Sequence, residues 1–571
     1  MNRLLFLFLI LQGYDRAQSQ EIIGKEFLHS PSDHEISVKM AFHDSSLVFI
    51  RYGLQSNNLN LFSDTIQFLP ETYTSITLQS LNPNTSYFYS VFYQIANGAG
   101  FIQRPVYQFH TAKSPEQLCT FLVQADPHLD EQTDTAVYAR CLQNQLEDNA
   151  DFMVDLGDFL MTDKLKNGSG IIPFDTIPYR CKLLRSYYEK ISHSVTIFNV
   201  LGNHEGEAGW NLNGSNQNIA VQNTLERKKY FGTPFPNGFY SGDTVNFPFV
   251  GKRADYYSFT WGNALFIMLD PYWNTPTKPD STHGWYWSLG EEQYNWLRHT
   301  LENSPAKFKF VFAHQLVGGA KEGRGGIEFS DYYEWGGKNL DGSEGFSVQR
   351  PGWYKPIKEL LKENRVTIFF HGHDHLFAKQ EKECLIYQET PQPSHPNFNN
   401  AGQADEYGYL NGEILPNSGH LRVTVDTNSV KVEYVRAYKA ADENGNRHNK
   451  DISAFYEIQF GDCYDSLFSS AMVWNSDYKT DIVYPNPFSE QTSIQFSLKE
   501  PAKVSLSIWD NQGNLVKELL KDTQVSSGNK TVVWDGTNSK GQNIAFGIYH
   551  YRLLIGSAPA TSKKLLYYPI K

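Results

Sequence analysis

Cysteine is scarce in this chain: five among 571 residues, at 119, 141, 181, 384 and 463, with no CxxC pair. That excludes a thiolate framework of the zinc-knuckle kind. The odd count allows one or two disulfides, and spacing alone does not pair them. Past the first residues no stretch reaches the ~18 apolar residues that a membrane-crossing helix needs. Positive charge is also short, with 50 Lys and Arg against 62 Asp and Glu for a net charge of −12. That balance argues against bulk attraction to nucleic acid or to an anionic membrane, though metal ions can make a local positive site in an acidic protein. Against these shortages, 40% hydrophobic and 15% aromatic residues are enough to build buried cores. The length predicts three or four domains at about 100–200 residues each.

The chain opens on Met1-Asn2-Arg3, runs from Leu4 to Leu11 without a polar residue, and reaches Ala17-Gln18-Ser19-Gln20. A basic start, a short apolar stretch and small residues near a break predict a secretory signal peptide over residues 1–20. The mature protein is then expected to be secreted or held at the cell surface, exported through the periplasm. Residues 21–113 show short alternating runs, such as Ile36 to Met40 and Ser75 to Leu78, between Asn, Pro, Gly and Ser clusters. That pattern predicts a β-sandwich.

From Cys119 the rhythm changes. Apolar runs (Phe121 to Ala125, Phe152 to Leu156, Val195 to Leu201, Leu265 to Leu269, Phe308 to Phe312, Val366 to Phe370) alternate with helical patterns at Gln132 to Asn149, Arg180 to Ser192, Glu291 to Leu301 and Tyr354 to Lys362. The region 118–461 is therefore read as an α/β domain with strands buried on both faces. Two long Gly-, Asn- and aromatic-rich stretches, Glu205 to Asp255 and Leu316 to Gly352, are read as ordered lids over a cleft. Their aromatics, Trp210, Tyr240, Tyr272, Trp273, Trp285 and Trp287, are expected to form a small core rather than to stack a base. Short strands after Cys384 predict a second sheet packed on the first. Residues 462–481 read as a linker and 482–571 as a second all-β domain.

The chemistry is concentrated at the ends of the apolar runs. In order they deliver Asp126-Pro127-His128, Gly157-Asp158, Gly202-Asn203-His204-Glu205, His314, and His371-Gly372-His373-Asp374-His375. Side chains at the carboxyl ends of parallel strands converge although the chain separates them widely. Imidazole and carboxylate donors without thiolate suit Zn, Mn or Fe. His373 and His375 alternate, so in extended backbone they reach two different ions. The donors outnumber the four that one structural zinc takes, which favours a two-metal site.

This ordered set resembles the calcineurin-like metallophosphoesterase superfamily over about residues 118–460. The resemblance implies a four-layer α/β/β/α sandwich, flanked here by the N-terminal and C-terminal β-sandwich domains, with two metal ions in the cleft above it. By motif it assigns Asp126, His128 and His375 to one metal and Asn203, His314 and His373 to the other, with Asp158 between them. It places His204 outside the ligand set, facing the leaving group. The implied activity is hydrolysis of a small phosphomonoester or phosphodiester by a metal-bridged hydroxide. Glu205 and Asp374 are expected to brace the imidazoles of His204 or His373, and Arg324, in a Gly-rich loop, to touch the phosphate.

The preceding sandwich, in which Leu81 to Val91 resembles the tyrosine corner of fibronectin type III domains, also suits purple acid phosphatases. Met161, however, stands where that branch has its tyrosine, and His128 is the ligand of the non-purple branches. A ferric-tyrosinate colour is therefore not expected. The last 90 residues, with Pro485-Asn486-Pro487-Phe488, Trp534-Asp535-Gly536, Gly547-Ile548-Tyr549 and Lys563-Lys564, resemble the sorting domain of the type IX secretion system. The secretion machinery is thus an expected partner. The competing expectation is a surface binding protein that keeps the fold without turnover, and a chromogenic phosphoester assay separates the two.

Overall fold

Alternation along the apolar strands explains the central architecture. In Cys119–Gln124, Phe121 and Val123 face one core while Leu122 faces another, and Phe310 and Phe312 oppose Val311 in the same way. Strands buried on both faces must lie between two layers. The computed structural model describes residues 21–461 and 478–567, apart from 97, 166–171, 281–282, 320–322, 446, 487, 499, 511–513, 546 and 556–557. The segment read as a signal peptide and residues 462–477 of the linker lie outside the described residues.

Two sheets make the centre. One has six strands in the order Thr196–Asn199, Phe152–Asp155, Cys119–Gln124, Gly419–Val425, Ser429–Arg436, Ile452–Gln459. The first three are parallel, and Gly419–Val425 joins them antiparallel to Cys119–Gln124. The other has eight strands, with Ala264–Met268, Phe308–Phe312, Ile368–His371 and Leu385–Glu389 as its parallel centre. Phenylalanines fill the space between the sheets. Phe121 meets Phe266 edge-on at 5.1 Å, and Phe312 stacks on Phe370 at 5.1 Å. The outer faces carry helices such as Thr135–Glu147, capped by the Asp134 carboxylate on the N–H groups of Ala136 and Val137, and Glu291–Asn303.

Two sequence expectations are corrected here. The strands after Cys384 do not form a separate second sheet: Leu385–Glu389 extends one central sheet, and Gly419–Val425 and its neighbours extend the other. The stretch 205–255 also holds a helix, Ile219–Tyr230, that apolar spacing does not show. Its inward face includes Asn223, Thr224 and Arg227, all bonded to the buried Glu207 carboxylate. Polar partners thus share the buried face with Ile219, Ala220, Val221 and Tyr230.

Before this domain, Ile22–His29, Ile36–Phe42 and Thr74–Leu78 form one sheet of a β-sandwich, and strands around Ser46–Gly53 and Ser86–Ile95 form the other. The Tyr87 hydroxyl accepts the Asn82 N–H at 2.9 Å and fixes the corner that the sequence pattern indicated. The sandwich is tied to the central domain by Lys39, whose ammonium donates to the carbonyls of Lys228, Lys229 and Phe231 at the end of helix Ile219–Tyr230. A second compact unit, Ser466–Lys571, is a two-sheet β-sandwich around Phe496, Leu506 and Trp534. The strand Tyr478–Tyr484 begins inside the segment read as linker.

Candidate metal centre

The polar residues follow strand ends of both sheets, three from one and two from the other, so the site lies where the two sheets meet rather than over a single sheet. Its backbone is unusual. Asp126, His128, Asp158, His373 and His375 all have positive φ, between 53° and 81°. Residues with a Cβ adopt this region at a cost, and it clusters where surroundings enforce a functional geometry. Glycines allow the loops to close. A Cβ on Gly202 would lie 2.3 Å from Asp158 Oδ1, and one on Gly372 would lie 2.8 Å from Asp126 Oδ2.

Two groups of donors result. Asp126, His128 and His375 form one, and Asp158, His314 and His373 the other, with the donor atoms of each within 4.8 Å of one another. His314 Nε2 lies 3.2 Å from Asp158 Oδ2, 3.1 Å from His373 Nδ1 and 3.1 Å from Asn203 Oδ1. Asp158 Oδ2 also lies 3.9 Å from His128 Nε2, so it faces both groups. The His314 Nδ1–H donates to the Leu156 carbonyl at 2.9 Å, which leaves the Nε2 lone pair for the site.

Buried donors without partners show that these residues fit cations. Asp126 Oδ1, both ring nitrogens of His128 and His373 Nε2 are buried with no hydrogen bond. Charge points the same way. Burial pulls the His314 imidazole down, but the Asp158 and Asp126 charges outweigh it and push it up to about 10. At His128 burial is again outweighed, by the nearby carboxylates of Asp126 and Asp130, and the ring is pushed up to about 9. Asp126 and Asp158 are held well below the usual range against burial, chiefly by the His314 charge. The carboxylates hold protons on imidazoles where metal ions compete for the same lone pairs.

The supporting residues differ in part from those expected. His204 is one-fifth exposed at the edge of the cluster, and its Nδ1 bonds the carboxylate of Asp163 at 2.8 Å. Glu205 does not touch that ring. It accepts backbone N–H groups from Gly202 at 2.6 Å, Asp158 at 3.0 Å, and Phe159 and Leu160 at 2.9 Å, and so locks two strand ends together. Burial, then the Asp158 charge, pushes Glu205 up to about 7 against those donors. Asp374 likewise braces no imidazole. It holds Arg324 at 3.1 Å, the Gly325 N–H at 2.7 Å and the Tyr409 hydroxyl at 2.8 Å. Arg324 also donates to the His373 carbonyl at 2.8 Å and borders the cleft beside His204 and His373.

Sequence reasoning missed Asp163, Asp130 and Arg180. Asp130 Oδ2 lies 3.3 Å from His128 Nδ1, and the buried Arg180 donates to the carbonyls of His128, Leu129 and Leu160. The signal at Asp130 was its place two residues after His128. Arg180 sits in a helical pattern and gave none. Met161 is buried, and of the expected aromatic core Tyr240, Tyr272, Trp273 and Trp287 are buried, with Trp210 and Trp287 also lining the cleft.

Two donor groups that could each hold a metal ion thus stand side by side at the strand ends of a two-sheet α/β sandwich. Residues 119–377 match the family model of the calcineurin-like phosphoesterases, and residues 486–554 match that of the FlgD Ig-like domain. The chain is therefore similar, over residues 119–377, to the calcineurin-like phosphoesterases. Its fold is similar to that of the purple acid phosphatase PPD1 from yellow lupin (Lupinus luteus) seeds, at 15% identity and a TM-score of 0.52, over 79% of this chain and 77% of that one. It is also similar to PhoD, at 15% identity and a TM-score of 0.55, over 77% and 90%. A search of curated proteins gave no match.

Proposed function

We propose that this protein is a secreted hydrolase of small phosphoesters working with two metal ions, Zn, Mn or Fe. Asp126, His128 and His375 would hold one ion, Asn203, His314 and His373 the other, with Asp158 reaching both. Such a pair supplies, when bound, charge neutralisation at the phosphoryl oxygens and a lowered pKa for water. The observation that carries the reading is His204, which stands outside both donor groups, on the cleft, and is oriented by its own carboxylate. A purely structural or ligand-capturing metal site has no use for it. Asp163 fixes the ring through Nδ1, which leaves Nε2 to protonate the departing oxygen. Arg324, anchored by Asp374, adds a fixed positive charge beside the phosphate. The N-terminal motif and the C-terminal β-sandwich support export by the type IX route.

The test is turnover of p-nitrophenyl phosphate and bis(p-nitrophenyl) phosphate by the full chain with Mn²⁺ or Zn²⁺. Activity on at least one ester, abolished by a chelator, is expected. Absence of turnover with every metal would leave the surface-binding reading in its place.

A further inference from the structure

Two cavities open onto the same reacting centre. Each has a volume of about 260 Å³, and His204, Arg324 and His373 border both. Their other walls differ in chemistry. The first is lined by amides, Gln392, Gln403 and Asn417, together with His395. The second is walled by Trp210, Trp287, Ile172 and Ile219. Trp210 and Trp287 meet edge-to-face at 5.8 Å, which gives that wall a rigid aromatic surface.

Within the first cavity, Gln392 is the telling residue. It is fully buried, and neither its side-chain nitrogen nor its side-chain oxygen has a hydrogen-bond partner. A buried amide with neither donors nor acceptor paired costs free energy unless something fills the cavity and pairs with it. Gln403 and Asn417 beside it are already engaged with the carbonyls of Asp374 and His375, so Gln392 is the amide left to read a ligand.

We infer that the substrate is a phosphodiester, with a hydroxyl- or amide-bearing arm in the amide-lined cavity against Gln392 and an apolar or aromatic arm in the tryptophan-lined one. The inference rests on the phosphoesterase reading above. A monoester has one organic arm and would leave one cavity of this size to water, whereas a diester fills both. Asp163 and Asn203 border only the tryptophan-lined cavity, so the His204–Asp163 pair serves the oxygen of the arm held there. Water adds through its oxygen to phosphorus and the P–O bond to that arm breaks. The departing oxygen takes the proton of His204, and a proton of the water makes good the loss. One diester and one water thus give the apolar alcohol and a phosphomonoester of the polar arm.

The experiment compares kcat/KM of the metal-loaded full chain for thymidine 5′-(p-nitrophenyl phosphate), butyl p-nitrophenyl phosphate and p-nitrophenyl phosphate. The nucleoside diester is expected to exceed the monoester at least tenfold and the butyl diester at least threefold. Its products are expected to be p-nitrophenol and thymidine 5′-phosphate. Gln392→Leu, which keeps the bulk and removes the hydrogen bonds, is expected to lower the nucleoside-diester to monoester ratio at least fivefold without lowering Tm. A monoester turned over as well as the nucleoside diester, or an unchanged ratio in Gln392→Leu, overturns the inference and leaves the phosphoesterase reading standing. Turnover of none of the three esters overturns both.

Discussion

His204 Nδ1 and Asp163 Oδ1 lie 2.8 Å apart, across a gap of 41 residues that joins two strand ends of one sheet. On the proposed reading the pair would separate metal holding from proton transfer, because His204 belongs to neither donor group. His204→Ala should therefore retain both metals by elemental analysis. It should lose roughly 10²–10⁴ in rate on esters with poor leaving groups, and far less on nitrophenyl esters, which need no proton. Asp163→Asn should show the same leaving-group dependence with a smaller loss, and an altered pH profile of kcat. Metal loss in His204→Ala would remove it from the proton-donor role.

Asp158 faces both donor groups, with Oδ2 at 3.2 Å from His314 Nε2 and 3.9 Å from His128 Nε2. Asp158→Asn should accordingly lower the content of both metals together, whereas His375→Ala should deplete one before the other. Stepwise titration with Mn²⁺ or Zn²⁺ distinguishes the two variants. A wild-type metal content in Asp158→Asn would contradict its bridging position.

A Cβ at Gly202 would stand 2.3 Å from Asp158 Oδ1 and 2.4 Å from its amide nitrogen. The second contact is with backbone, so a rotamer change does not relieve it. Gly202→Ala should displace the strand end that Glu205 clamps, with lower metal affinity and a Tm reduced by several degrees. Gly100→Ala is a useful control, since its Cβ meets nothing within 4 Å and neither it nor Gly202, at φ −102°, has left-handed backbone. Collision thus acts in Gly202→Ala, and neither collision nor backbone strain in the control.

The five strand ends were legible in the sequence because each polar residue directly follows an apolar run, a purely local signal. What was not legible depends on distant partners. Nothing local says that Gly419–Val425 pairs with Cys119–Gln124 and so places the donors across two sheets. The brace on His204 was sought next to it, at Glu205, yet that carboxylate turns back onto four backbone N–H groups while Asp163 arrives from another loop. Helix Ile219–Tyr230 escaped because Asn223, Thr224 and Arg227, paired with Glu207, interrupt the apolar residues of its buried face. Arg180 showed only as the start of a helical pattern, and it ties two site loops through their carbonyls.

Metal binding should release protons. Without metal, the carboxylates push His314 up to about 10 and His128 up to about 9, so both rings carry a proton at pH 7. Those protons must leave before a ring lone pair can bind an ion. Apparent affinity should rise with pH up to about 9 and flatten near 10. The sign for the metal-free protein is opposite, since raised imidazole values stabilise the fold below about 6.5, and that contribution fades as pH rises toward 9–10. Calorimetry in buffers of different ionisation enthalpy counts the released protons, and a count of zero at pH 7 would refute the picture.

Glu207 gives the acid limit of stability. It is fully buried and receives Arg227 at 2.6 Å and Arg253 at 3.2 Å. Burial raises its carboxyl, but Arg227 and then Arg253 outweigh burial and bring it down to about 2, from an ordinary 4.5. A depressed carboxylate contributes stability above its unfolded value and loses it as pH falls through the folded one. The stabilisation is thus complete above about 4.5 and drains away toward pH 2. Glu207→Gln should lower stability at pH 7 by about 3–5 kcal/mol, because two buried guanidinium groups lose their shared partner. The same variant should flatten the fall of stability between pH 4.5 and 2, measured by urea denaturation at each pH. An acid transition as steep in the variant as in the parent would place the acid-sensitive group elsewhere.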